Sequence, residues 1–231
     1  IYQKLRVQSQ AQLVSLMYES GLVQGLARIR ISVEAGAEPA LRSAIGELPV
    51  PIEFVAAAPT IPDSLYAAVE GDDGPFVVTT ADNVLLTAEA VRRVAARLAA
   101  GDVAVVALAR REDVLAAHPR GQRRFYRLAD GAYSNCNLYG LSRRGLALAE
   151  TFRSGGRFAT HPRRIVEALG LLNLLILRSG LISLPRAMAR LGRRFGVAAS
   201  AVVLEDGAHA IDVDNPRTYA IAAELLDRRA A

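Results

Sequence analysis

The sequence has no tryptophan, one cysteine, two methionines and three histidines in 231 residues. A single cysteine, Cys136, excludes an internal disulfide framework and any cysteine-based zinc cluster. It points to a reducing compartment, so a cytoplasmic location is expected, either free or at the inner face of the membrane. Cys136 itself reads as a small buried hydrophobe rather than a nucleophile. His118, His161 and His209 stand in no recognisable Ser/His/Asp arrangement, which leaves no candidate nucleophile triad. No uninterrupted apolar run reaches the ~18 residues needed to span a bilayer. No signal-peptide pattern opens the sequence, and no repeat or low-complexity segment is evident.

What is present suits one packed domain over residues 1–231. Hydrophobic residues make up 52% and mean hydropathy is +0.21, enough apolar surface for a sizeable core. The formal net charge is +5 and the sequence pI is about 9.8, which favours anionic partners. The basic residues are mostly arginine, whose planar fork matches phosphate oxygens two at a time.

Short β-branched runs alternate with helical patterns. The spacing predicts a helix over Gln10–Ser20, a strand over Arg28–Glu34, a helix over Pro39–Leu48 and a strand over Ile52–Ala57. A short helix follows at Ser64–Glu70 with Asp63 as its expected N-cap. Pro75–Thr80 reads as a strand buried on both faces. Thr87 caps an amphipathic helix that runs to Ala100 and stops at Gly101, and Val103–Ala109 is another buried strand. This rhythm predicts a mostly parallel sheet with helices on both faces. Phe125–Leu128 and Tyr133–Leu141 read as an antiparallel pair around Asp130-Gly131. A mainly helical excursion covers about 143–195, Ser200–Leu204 is the last strand, and Pro216 opens a C-terminal helix.

Two acidic clusters carry the chemistry. Asp82 follows the strand at 75–80, at the position where open α/β sheets bind ligands, and a carboxylate there suits Mg²⁺. The alternative is an acid that satisfies N–H groups at a helix entry. Asp212 and Asp214 alternate, so on an extended strand they would point the same way. The alternative for these two is a helix N-cap or a loop acid.

The segments PFVVTTADNVLLTAEAVRRV and AIDVDNPRTYAIAAELL together resemble the molybdopterin-guanine-dinucleotide-synthesis type of NTP transferase, within the GT-A nucleotidyltransferase superfamily. The resemblance spans nearly the whole chain and is specific at these two motifs. It implies a three-layer α/β/α, Rossmann-like fold with a mostly parallel mixed sheet. It implies an enzyme that transfers a nucleoside monophosphate from a triphosphate, CTP or GTP favoured, to a phosphorylated acceptor, with lipid- and cofactor-related acceptors among the candidates, and releases pyrophosphate. Asp82 would hold the Mg²⁺ cofactor, with Asp214 as second ligand and Asp212 as neighbour. Ser64, in PDSLYAAV, resembles a serine that lies against the nucleotide. Asn83, Asn135 and Asn137, the last two in YSNCNLYGL, would meet substrate. Lys4 stands where the family carries a catalytic lysine. The family also has a glycine-rich phosphate loop, which this sequence lacks; either it precedes Ile1 or the protein is a degenerate relative. Two rival readings share the fold: a non-catalytic binding module and a glycosyltransferase.

The arginines from Arg163 to Arg194 admit two readings. They form the solvent side of a helical cover, as at a sheet edge or homodimer interface, or they touch an anionic membrane surface peripherally. A nucleic-acid partner is not expected, because these arginines are not interleaved with aromatics and no nucleic-acid motif is present.

Overall fold

The computed structural model describes residues 26–153 and 180–230. The helix expected at Gln10–Ser20, Lys4, and the arginines 163, 164 and 178 lie outside the described residues. The elements run β1 (Ile29–Val33), α1 (Glu38–Ile45), β2 (Ile52–Ala56), α2 (Ile61–Ala68), β3 (Phe76–Thr79), α3 (Ala88–Ala99), β4 (Ala104–Arg110) and α4 (Arg111–Ala117). The hairpin β5 (Tyr126–Leu128) and β6 (Gly131–Leu141) follows, then a 3₁₀ helix at Arg144–Phe152. The chain closes with α5 (Leu184–Arg194), β7 (Ala199–Leu204), a 3₁₀ turn at Gly207–Ala210 and α6 (Pro216–Ala230).

Local chemistry sets most of these boundaries. Thr87 lies in the extended region and accepts the Ala90 N–H, so α3 starts where expected. Gly101, at φ 100°, follows its end. The start of α2 differs from expectation. Its N-cap is Thr60, which accepts the Asp63 N–H at 3.2 Å and donates to the Asp63 carboxylate at 2.6 Å. Pro62 sits in the first turn, where no N–H is needed, so the helix begins ahead of it. Asp63 is thus the reciprocal partner of the cap and not the cap itself. The short α4 has no breaker between it and β4, and it follows that strand directly.

The sheet is mixed, with most strands pointing one way. The five-stranded sheet has the order β3-β6-β4-β7, with β5 paired to β6. β4 and β7 are parallel, whereas β6 runs antiparallel to both β3 and β4. β3, β4 and β7 therefore share a direction, and β6 is a reversed strand wedged between two of them. β1 and β2 form a separate parallel pair. β3 is half-buried rather than fully buried, because β6 is its only strand partner among the described residues.

β4 shows how the layers form. Val105, Ala107 and Ala109 join the core beneath α3, the 207–210 turn and α6. Ala104, Val106 and Leu108 pack on the other face, with the 3₁₀ helix and α5. The sheet is thus flanked by helices on both sides, as the alternation of a strand buried on two faces requires. Among the described residues no helix is long and apolar enough to cross a membrane.

α3 lies close on β6 because Gly140 leaves room for it. A Cβ at that position would stand 2.7 Å from Val94 Cγ1 and 3.1 Å from Leu98 Cδ1. Gly140→Val is expected to destabilise the fold by about 1–3 kcal/mol through overpacking, read as a lower urea midpoint with an unchanged m-value.

Candidate active site

The site lies where the parallel strands end. The turn after β3 carries Asp82, and the irregular stretch before α6 carries Asp212 and Asp214. One backbone bond joins them: Val213 N–H donates to the Asp82 carbonyl at 2.9 Å. The Thr80 hydroxyl donates to the Asp82 carboxylate and fixes its rotamer.

The geometry of the second cluster differs from the extended strand expected. Residues 211–214 form no strand, and Asp214 N–H donates to the Asp212 carbonyl at 3.0 Å, so the chain turns tightly there. Neither acid caps α6. Asn215 accepts the N–H groups of Arg217 and Thr218 at 3.1 and 3.2 Å. The Thr218 hydroxyl in turn accepts those of Asp214 and Asn215 at 3.0 and 3.2 Å. Asp214 is exposed, whereas one oxygen of Asp212, Oδ1, is buried with no hydrogen-bond partner among the described residues. Burial first, and then the charges of Asp82 and Asp214, push the Asp212 carboxyl well above the ordinary carboxylate value; a hydrogen bond from Asn137 acts against this.

β6 supplies a neutral polar face beside the acids. Its register against β4 shifts between Val106 and Leu108, opposite Asn135–Asn137, and Asn137 adopts φ 47°. Asparagine tolerates this left-handed conformation better than most residues. Asn135 donates to Asn137 Oδ1 at 3.0 Å and to the Tyr139 hydroxyl at 2.6 Å, and accepts the Asn137 N–H at 3.1 Å. The Tyr139 ring packs edge-on against Phe152, with centroids 5.6 Å apart. Tyr139 was not expected at the site. It stands two residues beyond Asn137, and the period of two along the strand is the signal that marks it.

The remaining expected residues fall elsewhere. Asn83 is fully buried and donates to the Cys136 carbonyl at 2.7 Å, so it supports the irregular part of β6 from inside the fold. The Ser64 hydroxyl accepts the Ala58 N–H at 2.9 Å and donates to the Ala58 carbonyl at 3.2 Å, which pins the loop between β2 and α2. Lys4 lies outside the described residues. Cys136 is fully buried, and burial pushes its thiol far above the ordinary value.

The donor set fits a hard cation. No three Asp, Glu, His or Cys side chains among the described residues enclose an ion by themselves. Mg²⁺ needs fewer, since it keeps several waters and takes one or two carboxylates plus phosphate oxygens. The buried Asp212 oxygen, without a partner among the described residues, feels the charges of Asp82 and Asp214. Among the described residues no basic side chain adds to the charge it feels.

His209 secures the acidic stretch. Its Nε2 meets the Thr87 hydroxyl at 2.9 Å and its Nδ1 meets the Asp206 carbonyl at 2.8 Å. Arg229 holds both the Asp206 carboxylate at 2.6 Å and the Leu85 carbonyl at 2.8 Å.

No family model and no curated protein matches the chain. Solved structures do. A hypothetical transferase from Thermus thermophilus matches with a TM-score of 0.66 at 28% identity, over 89% of this chain and 85% of that one. The 4-diphosphocytidyl-2C-methyl-D-erythritol synthase of Anaerococcus prevotii matches at 0.58, with 11% identity over 96% and 89%. A CMP:2-keto-3-deoxy-manno-octonic acid synthetase complexed with CTP matches at 0.53, with 13% identity over 94% and 88%. The chain has the nucleotidyltransferase fold. Its two acidic turns lie at the strand ends of that fold, in the place where open α/β sheets take their ligands.

Two outcomes follow from these contacts. Asp212→Asn removes a buried carboxyl whose charged form is disfavoured by burial and by Asp82 and Asp214. It is expected to raise stability in metal-free buffer by on the order of 1 kcal/mol, or roughly 2–4 °C in Tm for a chain of this size. His209 is held neutral: burial lowers its pKa below the ordinary 6.5. The unfolded chain therefore binds a proton that the folded chain refuses, so this contribution is complete above about 6.5 and is lost as pH falls below it. Urea midpoints measured from pH 7.5 down to 5 should fall more steeply for the wild type than for His209→Gln.

Proposed function

We propose that the chain is an Mg²⁺-dependent nucleotidyltransferase, which transfers a nucleoside monophosphate from a triphosphate to a phosphorylated acceptor and releases pyrophosphate. The buried Asp212 oxygen, in the residue before the Val213 N–H that donates to the Asp82 carbonyl, is the observation that carries this reading. The fold shared with a synthase and a synthetase, the latter complexed with CTP, supports it. Within that superfamily the motif residues favour the molybdopterin-guanine-dinucleotide-synthesis type, with CTP or GTP as donor.

Asp82 and Asp214 would hold the cation, with Asp212 beside them, and the bound ion would neutralise charge on the triphosphate. An acceptor phosphate oxygen attacks the α-phosphorus, the bond to the β-phosphate oxygen breaks, and pyrophosphate leaves. The chain needs no covalent intermediate for this. Asn135 and Asn137 orient the acceptor by neutral hydrogen bonds. The fixed backbone at Asp82 keeps the reacting groups together, which lowers the entropic part of the barrier.

Calorimetric titration with CTP, GTP, ATP and UTP, each with and without Mg²⁺, tests the reading. Metal-dependent binding of one triphosphate is expected, weakened by about 100-fold in Asp82→Ala, as loss of a charge-assisted contact of about 2.7 kcal/mol requires. Failure of a folded wild-type chain to bind any of the four would sink it and leave a non-catalytic module of the same fold.

A further inference from the structure

Residues 118–127 read HPRGQRRFYR, with four arginines and no acid. This loop is built onto the segment that carries Asp212 and Asp214. Gly121 packs against Ile211 so closely that a Cβ would stand 2.9 Å from Ile211 Cγ1 and nearer still to its Cδ1. The Gln122 side chain donates to the Ala210 carbonyl at 3.5 Å, and its Oε1 accepts the Arg123 and Arg124 backbone N–H groups at 2.8 and 3.3 Å. The Arg217 guanidinium of α6 donates to the Arg120 carbonyl. At its far end the loop becomes β5, paired to β6, the strand of Asn135 and Asn137. Its course is therefore fixed from one side of the site to the other.

The cations on it are not used by the fold. Arg123, Arg124 and Arg127 are exposed, and none has a carboxylate partner among the described residues. The acids close by are already engaged. Both Asp130 oxygens accept the Leu184 N–H at 2.9 Å, and Glu112 faces Arg110 at 3.7 Å. Three guanidinium groups without a carboxylate partner among the described residues thus sit on a loop packed against the segment of Asp212 and Asp214, whose acids would themselves repel an anion. Attack of one phosphate on another brings two anions together. The acids with their cation neutralise one of them, and the other needs cations of its own.

We propose that this loop is the anion-binding arm of the site, and that Arg123, Arg124 and Arg127 bind the phosphate monoester of the acceptor. The assignment rests on the nucleotidyltransferase reading for its role, though not for its binding chemistry. The acceptor is then a phosphomonoester, either free in solution or carried on a lipid headgroup.

The test compares wild type with R123Q/R124Q/R127Q and with a control that removes three exposed cations elsewhere, R42Q/R92Q/R228Q on α1, α3 and α6. Each is titrated with inorganic phosphate and with the triphosphate plus Mg²⁺, and each is pelleted with phosphatidylcholine vesicles with and without phosphatidic acid. Phosphate or phosphatidate binding that weakens at least about tenfold in the loop variant alone, with triphosphate affinity unchanged, supports the arm. Arginine-dependent pelleting with phosphatidic acid assigns the phosphate to a lipid headgroup, and binding of free phosphate without pelleting assigns it to a soluble acceptor. Wild type that binds neither, equal losses in both variants, or loss of triphosphate in the loop variant would overturn it. Arginine-dependent phosphate binding by a wild type that takes no triphosphate would leave the arm standing and remove the nucleotidyltransferase reading.

Discussion

The hydrogen bond from Val213 N–H to the Asp82 carbonyl fixes how close two acidic turns stand. Both turns leave strands of the same direction, so both reach the same edge of the sheet. The bond then holds the Asp82 turn against the segment of Asp212 and Asp214, and the charges of Asp82 and Asp214 raise the cost of ionising Asp212. Such an arrangement costs stability and persists only where its surroundings over-determine it. The Thr87–His209–Asp206–Arg229 contacts do this from below, and the Asn215–Thr218 cap does it from the α6 side.

The reversed strand β6 completes the site through a departure from ladder geometry. Its register slips opposite Leu108, and Asn137 takes up a left-handed conformation there. A slip of this kind strands backbone groups, and Asn83 takes one of them by donating to the Cys136 carbonyl. A residue read as part of the substrate surface thus serves to keep Asn135 and Asn137 in place. The two halves of the site differ in character: the carboxylates are an environment for a cation, whereas the amides and the Tyr139 hydroxyl offer neutral donors and acceptors.

Much of the fold was legible. The apolar alternation of Val103–Ala109, the Thr87 cap and the Gly101 stop set β4 and α3 within a residue or so. The hairpin around Asp130-Gly131 was legible for the same reason, since turn chemistry is local. The start of α2 was misplaced because Pro62 reads as a barrier from sequence, though it belongs inside the first turn. α4 was missed because nothing separates it from β4. At the site, Asp82 and the pair at 212 and 214 stood out as strand-end acids, while the loop at 118–127 did not, since its arginines acquire a neighbour only through Gly121 and Ile211.

Sequence by itself determined the class of fold, the order of elements and the types of residue available for chemistry. These follow from side-chain periodicity and from capping, which act over a few residues. Only the tertiary structure decided which acid is buried, that Asn83 faces inward, that residues 211–214 turn instead of extending, that Tyr139 bonds to Asn135, and that the 118–127 loop packs on Ala210 and Ile211. Those outcomes depend on contacts between segments about 50–130 positions apart, such as Asn83 with Cys136 and Asp82 with Val213. No local pattern carries that information, because it is set by how the sheet, its reversed strand and its two helical layers pack together.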